Sequence, residues 1–87
     1  MRHRNRKENE MVCGKIEVII NAMVESCLSP QEIADKAGVS VSIVYRVRKG
    51  YMVKMERFGK VCRALGLTPD QAIDYERMKR YKEEHRA

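Results

Sequence analysis

The chain lacks most of what catalysis or metal binding would need. Its two histidines, His3 and His85, lie in charged terminal stretches with no acid or nucleophile paired to them. Its three cysteines, Cys13, Cys27 and Cys62, are odd in number and far apart, and no Cys-x-x-Cys pair gives the spacing of metal ligands. No glycine-rich phosphate loop is present. These absences argue against an enzyme, a metal site and a cofactor. Uncharged runs, such as residues 18–24 between Glu17 and Glu25, fall far short of the ~20 apolar residues that span a bilayer. The opening Met1-Arg2-His3-Arg4-Asn5-Arg6-Lys7 has no apolar stretch behind it, so no secretory signal is expected. There are no internal repeats and no low-complexity segment. Acidic residues are missing from one window as well. Between Lys36 and Met55 the charges are Lys36, Arg46, Arg48, Lys49 and Lys54, all basic.

What is present suits one small domain. A chain of 87 residues buries roughly 60% of its unfolded surface, enough for one modest core. The formal net charge is +6, and a basic balance favours an anionic partner, most often nucleic acid. Cys27 and Cys62 fall at apolar positions of helical patterns and are expected to act as small buried hydrophobes in a reducing cytoplasm.

Apolar spacing and punctuation predict helices. Val12, Ile16, Ile19, Ile20, Met23 and Cys27 share one helical face, which predicts a first helix over about 12–26. Ser29-Pro30-Gln31-Glu32 reads as a helix start, with a serine cap, proline in the first turn and glutamate completing a capping box. This second helix carries Ile33, Ala34 and Ala37 inward and stops at Gly38, which takes a left-handed position cheaply. It is too short to be stable alone, so packing must hold it. Residues 50–53 are expected to form a loop. Met55, Phe58, Val61, Cys62 and Leu65 mark a later helix ending at Gly66. Thr68-Pro69-Asp70-Gln71 starts another.

Between Gly38 and Gly50 lies Ser40-Val41-Ser42-Ile43-Val44-Tyr45-Arg46-Val47-Arg48-Lys49. Its alternating β-branched residues resemble a strand. The context overrides that signal. Ser40 is a good N-cap, and Val44 and Val47, with Val39 and Ile43, form a stripe a helix can bury. Together the two short helices read Gln31-x-x-Ala34-x-x-x-Gly38-Val39-x-x-x-x-Val44-x-x-Val47. Ala34 is small where the helices cross, Gly38 makes the tight turn, and the valines anchor the second helix. That is a helix-turn-helix pattern.

Residues 30–40, then Val44, Val47, Lys49-Gly50 and the later Phe58-x-x-Val61-Cys62-x-Ala64-Leu65-Gly66-Leu67, make the chain resemble the lambda repressor/Cro-like, or XRE, family over about residues 15–74. The resemblance implies an all-α, compact bundle of four to five helices. It also implies a recognition helix, here about 40–49, in the major groove of double-stranded DNA. Carried over position by position, it implies that Val41, Ser42, Tyr45 and Arg46 face bases, with Ser40 at the head of that helix. Gln31 would brace the DNA backbone and the recognition helix, and Lys49, Tyr51 and Lys54 would stand on the phosphate side. One position departs from the pattern. Many members have Gln, Asn or Arg near Val41, whereas a valine can at best touch a thymine methyl. The all-basic window supports phosphate contact independently of the resemblance.

The expected organisation is a flexible basic arm over 1–11, a helix-turn-helix domain over 12–74 and a charged helical extension over 75–87. The arm is either a simple disordered terminus or a contact to phosphates or a minor groove. The extension is either a partly frayed charged helix or a partner face made by Ile73, Tyr75, Met78 and Tyr81, through which a homodimer would form. The leading function is a sequence-specific transcriptional regulator, most simply a repressor. Such short chains resemble regulators of bacteria, phages and mobile elements, with a cytoplasmic location. No membrane contact and no small-molecule ligand are evident. The alternative is a protein-interaction module, an antitoxin-like or adaptor subunit whose C-terminal helix folds on a partner.

Overall fold

Ser29, Pro30 and Gly38 set the frame of the helix-turn-helix as their chemistry requires. The structure, a computed structural model, describes residues 10–84. In chain order these form β1 (Met11–Val12), α1 (Ile16–Ser26), α2 (Pro30–Ala37), α3 (Val41–Arg48), β2 (Val53–Lys54), α4 (Met55–Ala64), α5 (Pro69–Ala72) and α6 (Tyr75–Glu84). The fold is mostly helical, as expected, with six helices and one two-stranded ribbon among the described residues.

The capping box on α2 is complete. The Glu32 amide donates to Ser29 Oγ at 3.1 Å, and the Ser29 amide donates to Glu32 Oε1 at 2.8 Å. Gly38 takes φ 78°, and its amide returns to the Ala34 carbonyl at 2.8 Å. The chain then turns directly into α3. This helix has poor intrinsic propensity, because its valines and isoleucine are β-branched. Packing supplies what propensity does not. Val44 and Val47 are buried against Ile33 and Ala34 of α2, Ile19 of α1 and Phe58, Val61 and Cys62 of α4. Ala34 has no exposed surface, as expected of a small residue at the helix crossing.

Four sequence expectations are corrected here. The first helix starts at Ile16, not near residue 12, because Val12 lies in β1 and pairs antiparallel with Val53, as Met11 does with Lys54. Residues 50–53 are therefore not all loop. The inward face of α1 also differs. Ile19 and Ala22 are buried, whereas Ile16 and Ile20 are each 41% exposed and Val24 is 70% exposed. Finally, Cys27 is exposed. It follows the last turn of α1 at φ 58°, in the left-handed region, so its side chain leaves the helical face it seemed to continue. Cys62 does behave as a buried hydrophobe, and burial pushes its thiol up to about 11, so it stays protonated at neutral pH.

The segment before α1 is clamped from both sides. Beyond the β1–β2 ribbon, the Lys15 amide donates to the Ala72 carbonyl at 2.7 Å and the Asp74 amide donates to the Cys13 carbonyl at 2.9 Å. Val12 and Cys13 are buried. Most of the expected N-terminal arm, residues 1–9, lies outside the described residues, as do His3 and His85. Of the arm's remaining residues, Met11 is in β1 and the Glu10 carbonyl accepts from the Met55 amide at 3.3 Å.

Candidate nucleic-acid interface

The solvent side of α3 follows from the burial of its other side. At 100° per residue, burying Val44 and Val47 turns Ser42, Tyr45, Arg46 and Lys49 outward, and all four are exposed. Val41 is only half-exposed and packs against the core, which fits its lack of hydrogen-bonding capacity. Ser40 stands at the head of the helix in an extended conformation, without a side-chain cap bond. Its Oγ instead lies 3.1 Å from Ser42 Oγ. Both hydroxyls sit at the helix N-terminus, where amides and the helix dipole favour negative charge.

Arg46 grips the loop that follows α3. Its Nη2 donates to the Met52 carbonyl at 3.0 Å, its guanidinium lies 5.5 Å from the centre of the Tyr51 ring, and its own carbonyl accepts from the Tyr51 amide at 2.9 Å. Arg48 stacks on Tyr45 in the same way at 5.0 Å. The loop is thus fixed to the last turn of α3, and Tyr51 and Lys54 stay exposed beside it. Gln31 does not reach α3. Its Nε2 donates to Asp35 Oδ1 at 3.1 Å on its own helix. Of the other residues singled out from the sequence, Ser40 stands at the head of α3, Val41, Ser42, Tyr45 and Arg46 fall on it, and Lys49, Tyr51 and Lys54 follow in the loop and strand directly after it.

Sequence reasoning missed one contributor. Arg77 of α6 donates from Nη2 to the Gly50 carbonyl at 3.0 Å, bridging residues 27 apart in sequence. No local pattern could have revealed a contact so distant in the chain. Gly50 itself has φ 81°, and a Cβ there would come within 2.7 Å of Arg77 Nη1 and 3.0 Å of Ile16 Cδ1. Gly50→Ala is therefore expected to cost at least about 1–2 kcal/mol, since it adds a left-handed penalty to a steric clash. A thermal melt unchanged from wild type would contradict this.

Among the described residues no three His, Cys, Asp or Glu side chains gather as metal ligands, and no helix is long and apolar enough to cross a membrane. The apolar residues expected to form a C-terminal partner face divide. Ile73 and Met78 pack on this chain's own core, while Tyr75 and Tyr81 remain exposed.

Comparison with known proteins agrees with this geometry. A family model described as helix-turn-helix matches residues 22–71, more than half of the 87 residues, and takes in α2, α3 and α4 whole. No curated protein and no solved structure matches the chain. On the family match, the chain belongs to the DNA-binding helix-turn-helix family of the XRE, lambda repressor-like type.

Proposed function

We propose that this protein is a sequence-specific transcriptional regulator that lays α3 in the major groove of double-stranded DNA. The observation that carries the reading is the fixed outer surface of α3. Ser42, Tyr45 and Arg46 are presented by a helix whose opposite side is locked into the core, and Arg46 is held by Met52 and Tyr51. In the proposed complex these three side chains meet base edges, with Val41 within reach of a thymine methyl. Ser40 meets a phosphate at the helix N-terminus, and Lys49, Tyr51 and Lys54 meet phosphates beside the groove. Gln31, tied to Asp35, takes a backbone contact at the start of α2. Regulation is by occupancy, with the bound protein excluding or recruiting polymerase at a promoter in the cytoplasm. Repression is the simplest form of that.

Two-fold binding fits the same reading. A homodimer through the C-terminal region would set two recognition helices about 34 Å apart, one turn of DNA. With Ile73 and Met78 packed on the core, Tyr75, 57% exposed, is the aromatic side chain that would carry that contact. Sedimentation of wild type and of a chain ending at residue 74 tests it. A dimer that becomes a monomer on truncation supports the contact, and an unchanged mass removes it.

Lys49→Ala is expected to flatten the dependence of log affinity on log salt by about 0.9, the share of one phosphate contact in a B-form duplex. An unchanged slope removes Lys49 from the phosphate contacts. The reading as a whole is tested by titrating isotope-labelled protein with duplex DNA and following amide shifts. The largest changes are expected over residues 40–54. A duplex that binds while these residues stay unperturbed would overturn it.

A further inference from the structure

The C-terminal helix carries more positive charge toward α3 than covering the core requires. Arg77, Arg80, Tyr81 and Glu84 recur at i, i+3, i+4 and i+7, so they share one face of α6. That face walls a cleft of about 500 Å³ whose far side is formed by Arg46, Tyr51 and Met52. Arg46, Arg77 and Arg80 line this cleft with a single acidic residue, Glu84, a formal surplus of +2 (three minus one). The ion pair found among the described residues, Lys60 with Glu56, lies elsewhere on α4. Arg77 is partly engaged by the Gly50 carbonyl and Arg46 by the Met52 carbonyl. Arg80 is exposed and has neither a hydrogen bond nor an ion pair among the described residues. Like charges in excess over the carboxylate beside them repel one another, and an anion placed between them relieves that repulsion.

We infer that this cleft is a phosphate site for the backbone of bound DNA, with Arg80 supplying the direct contact, so that the DNA footprint extends beyond the helix-turn-helix onto α6. The inference rests on the DNA-binding reading above, because Arg46 and Tyr51 belong to both surfaces. Arg77 is a positioning residue: it ties α6 to Gly50 and so holds Arg80 beside the loop after α3. A planar guanidinium suits a phosphate, whose oxygens accept two parallel N–H bonds. The contact carries no sequence information, so it adds affinity to every duplex equally.

The test is duplex affinity as a function of salt for wild type, Arg80→Ala and Arg80→Lys, with far-UV circular dichroism as the fold control. Arg80→Ala is expected to flatten the log-log salt slope by about 0.9 and to weaken specific and random duplexes by the same factor. Arg80→Lys should retain the slope. In a second arm, inorganic phosphate and a nucleoside monophosphate are titrated without DNA, and no saturable shift of the Tyr51 and Arg80 resonances is expected at millimolar concentrations. Wild-type binding whose slope Arg80→Ala leaves unchanged overturns the inference. Saturable binding of free phosphate or nucleotide overturns its assignment to the DNA backbone. Absence of any duplex binding by wild type would instead overturn the underlying reading.

Discussion

Replacing Phe58 with alanine will cost about 3–5 kcal/mol of folding stability, a large share of what a domain of this size possesses. Phe58 is the chain's one phenylalanine and is 1% exposed. It belongs to the same buried cluster as Val44 and Val47 of α3 and Ile33 and Ala34 of α2. Its ring also lies against Gly14, where an added Cβ would stand 2.9 Å from Cε1. One side chain therefore joins α3 to the clamped N-terminal segment. Its removal leaves a cavity that backbone hydrogen bonds on both sides prevent from collapsing. Urea unfolding measures the effect as a fall in midpoint with little change in slope. A loss below about 1 kcal/mol would mean the core does not depend on this ring.

Arg46→Ala has the largest expected effect on recognition. If the guanidinium reads a base, the variant loses about 1–3 kcal/mol of discrimination, which is tenfold in affinity for each 1.4 kcal/mol. The structure adds a consequence the sequence does not suggest. Arg46 also holds the Met52 carbonyl and lies over Tyr51, so its loss loosens the loop after α3 as well. Affinity for random DNA should therefore fall too, but by less than affinity for the preferred site. Equal losses on both would assign Arg46 to phosphate positioning alone. Arg46→Lys keeps the charge and loses the planar fork, so it should recover the nonspecific part of the loss more fully than the specific part.

The parts of this fold that were legible in the sequence are those specified locally. Ser29, Pro30, Glu32 and Gly38 each fix a backbone conformation within four residues of themselves, and α2 and its turn follow. The strand-like alternation of residues 41–47 gave way to the Ser40 start and the Val44–Val47 stripe, and α3 is a helix. What stayed hidden depends on distant pairing. A ribbon of two residues per strand is too short to produce a period, so the spacing of Val12 matches the helical pattern of Ile16 and Ile19 although it pairs with Val53 in the ribbon. Cys27 also kept the spacing, but α1 had already ended and the chain had turned left-handed. Ile16 and Ile20 misled in a different way. An apolar residue at helical spacing signals a face, yet Ile19 and Ala22 face the core and these two remain largely outside it. In the candidate site, the outward set on α3 was legible because it complements the buried stripe. The clasp between Arg77 and Gly50 was not, because only the folded chain brings residues 27 apart together.

The central claim is that the outer surface of α3 reads DNA sequence. Selection of bound duplexes from a random pool at one fixed salt concentration tests it most directly. The account predicts enrichment of a single motif that Arg46→Ala degrades at one or two positions while the rest persists. A pool that wild type retains without enriching any sequence would contradict it.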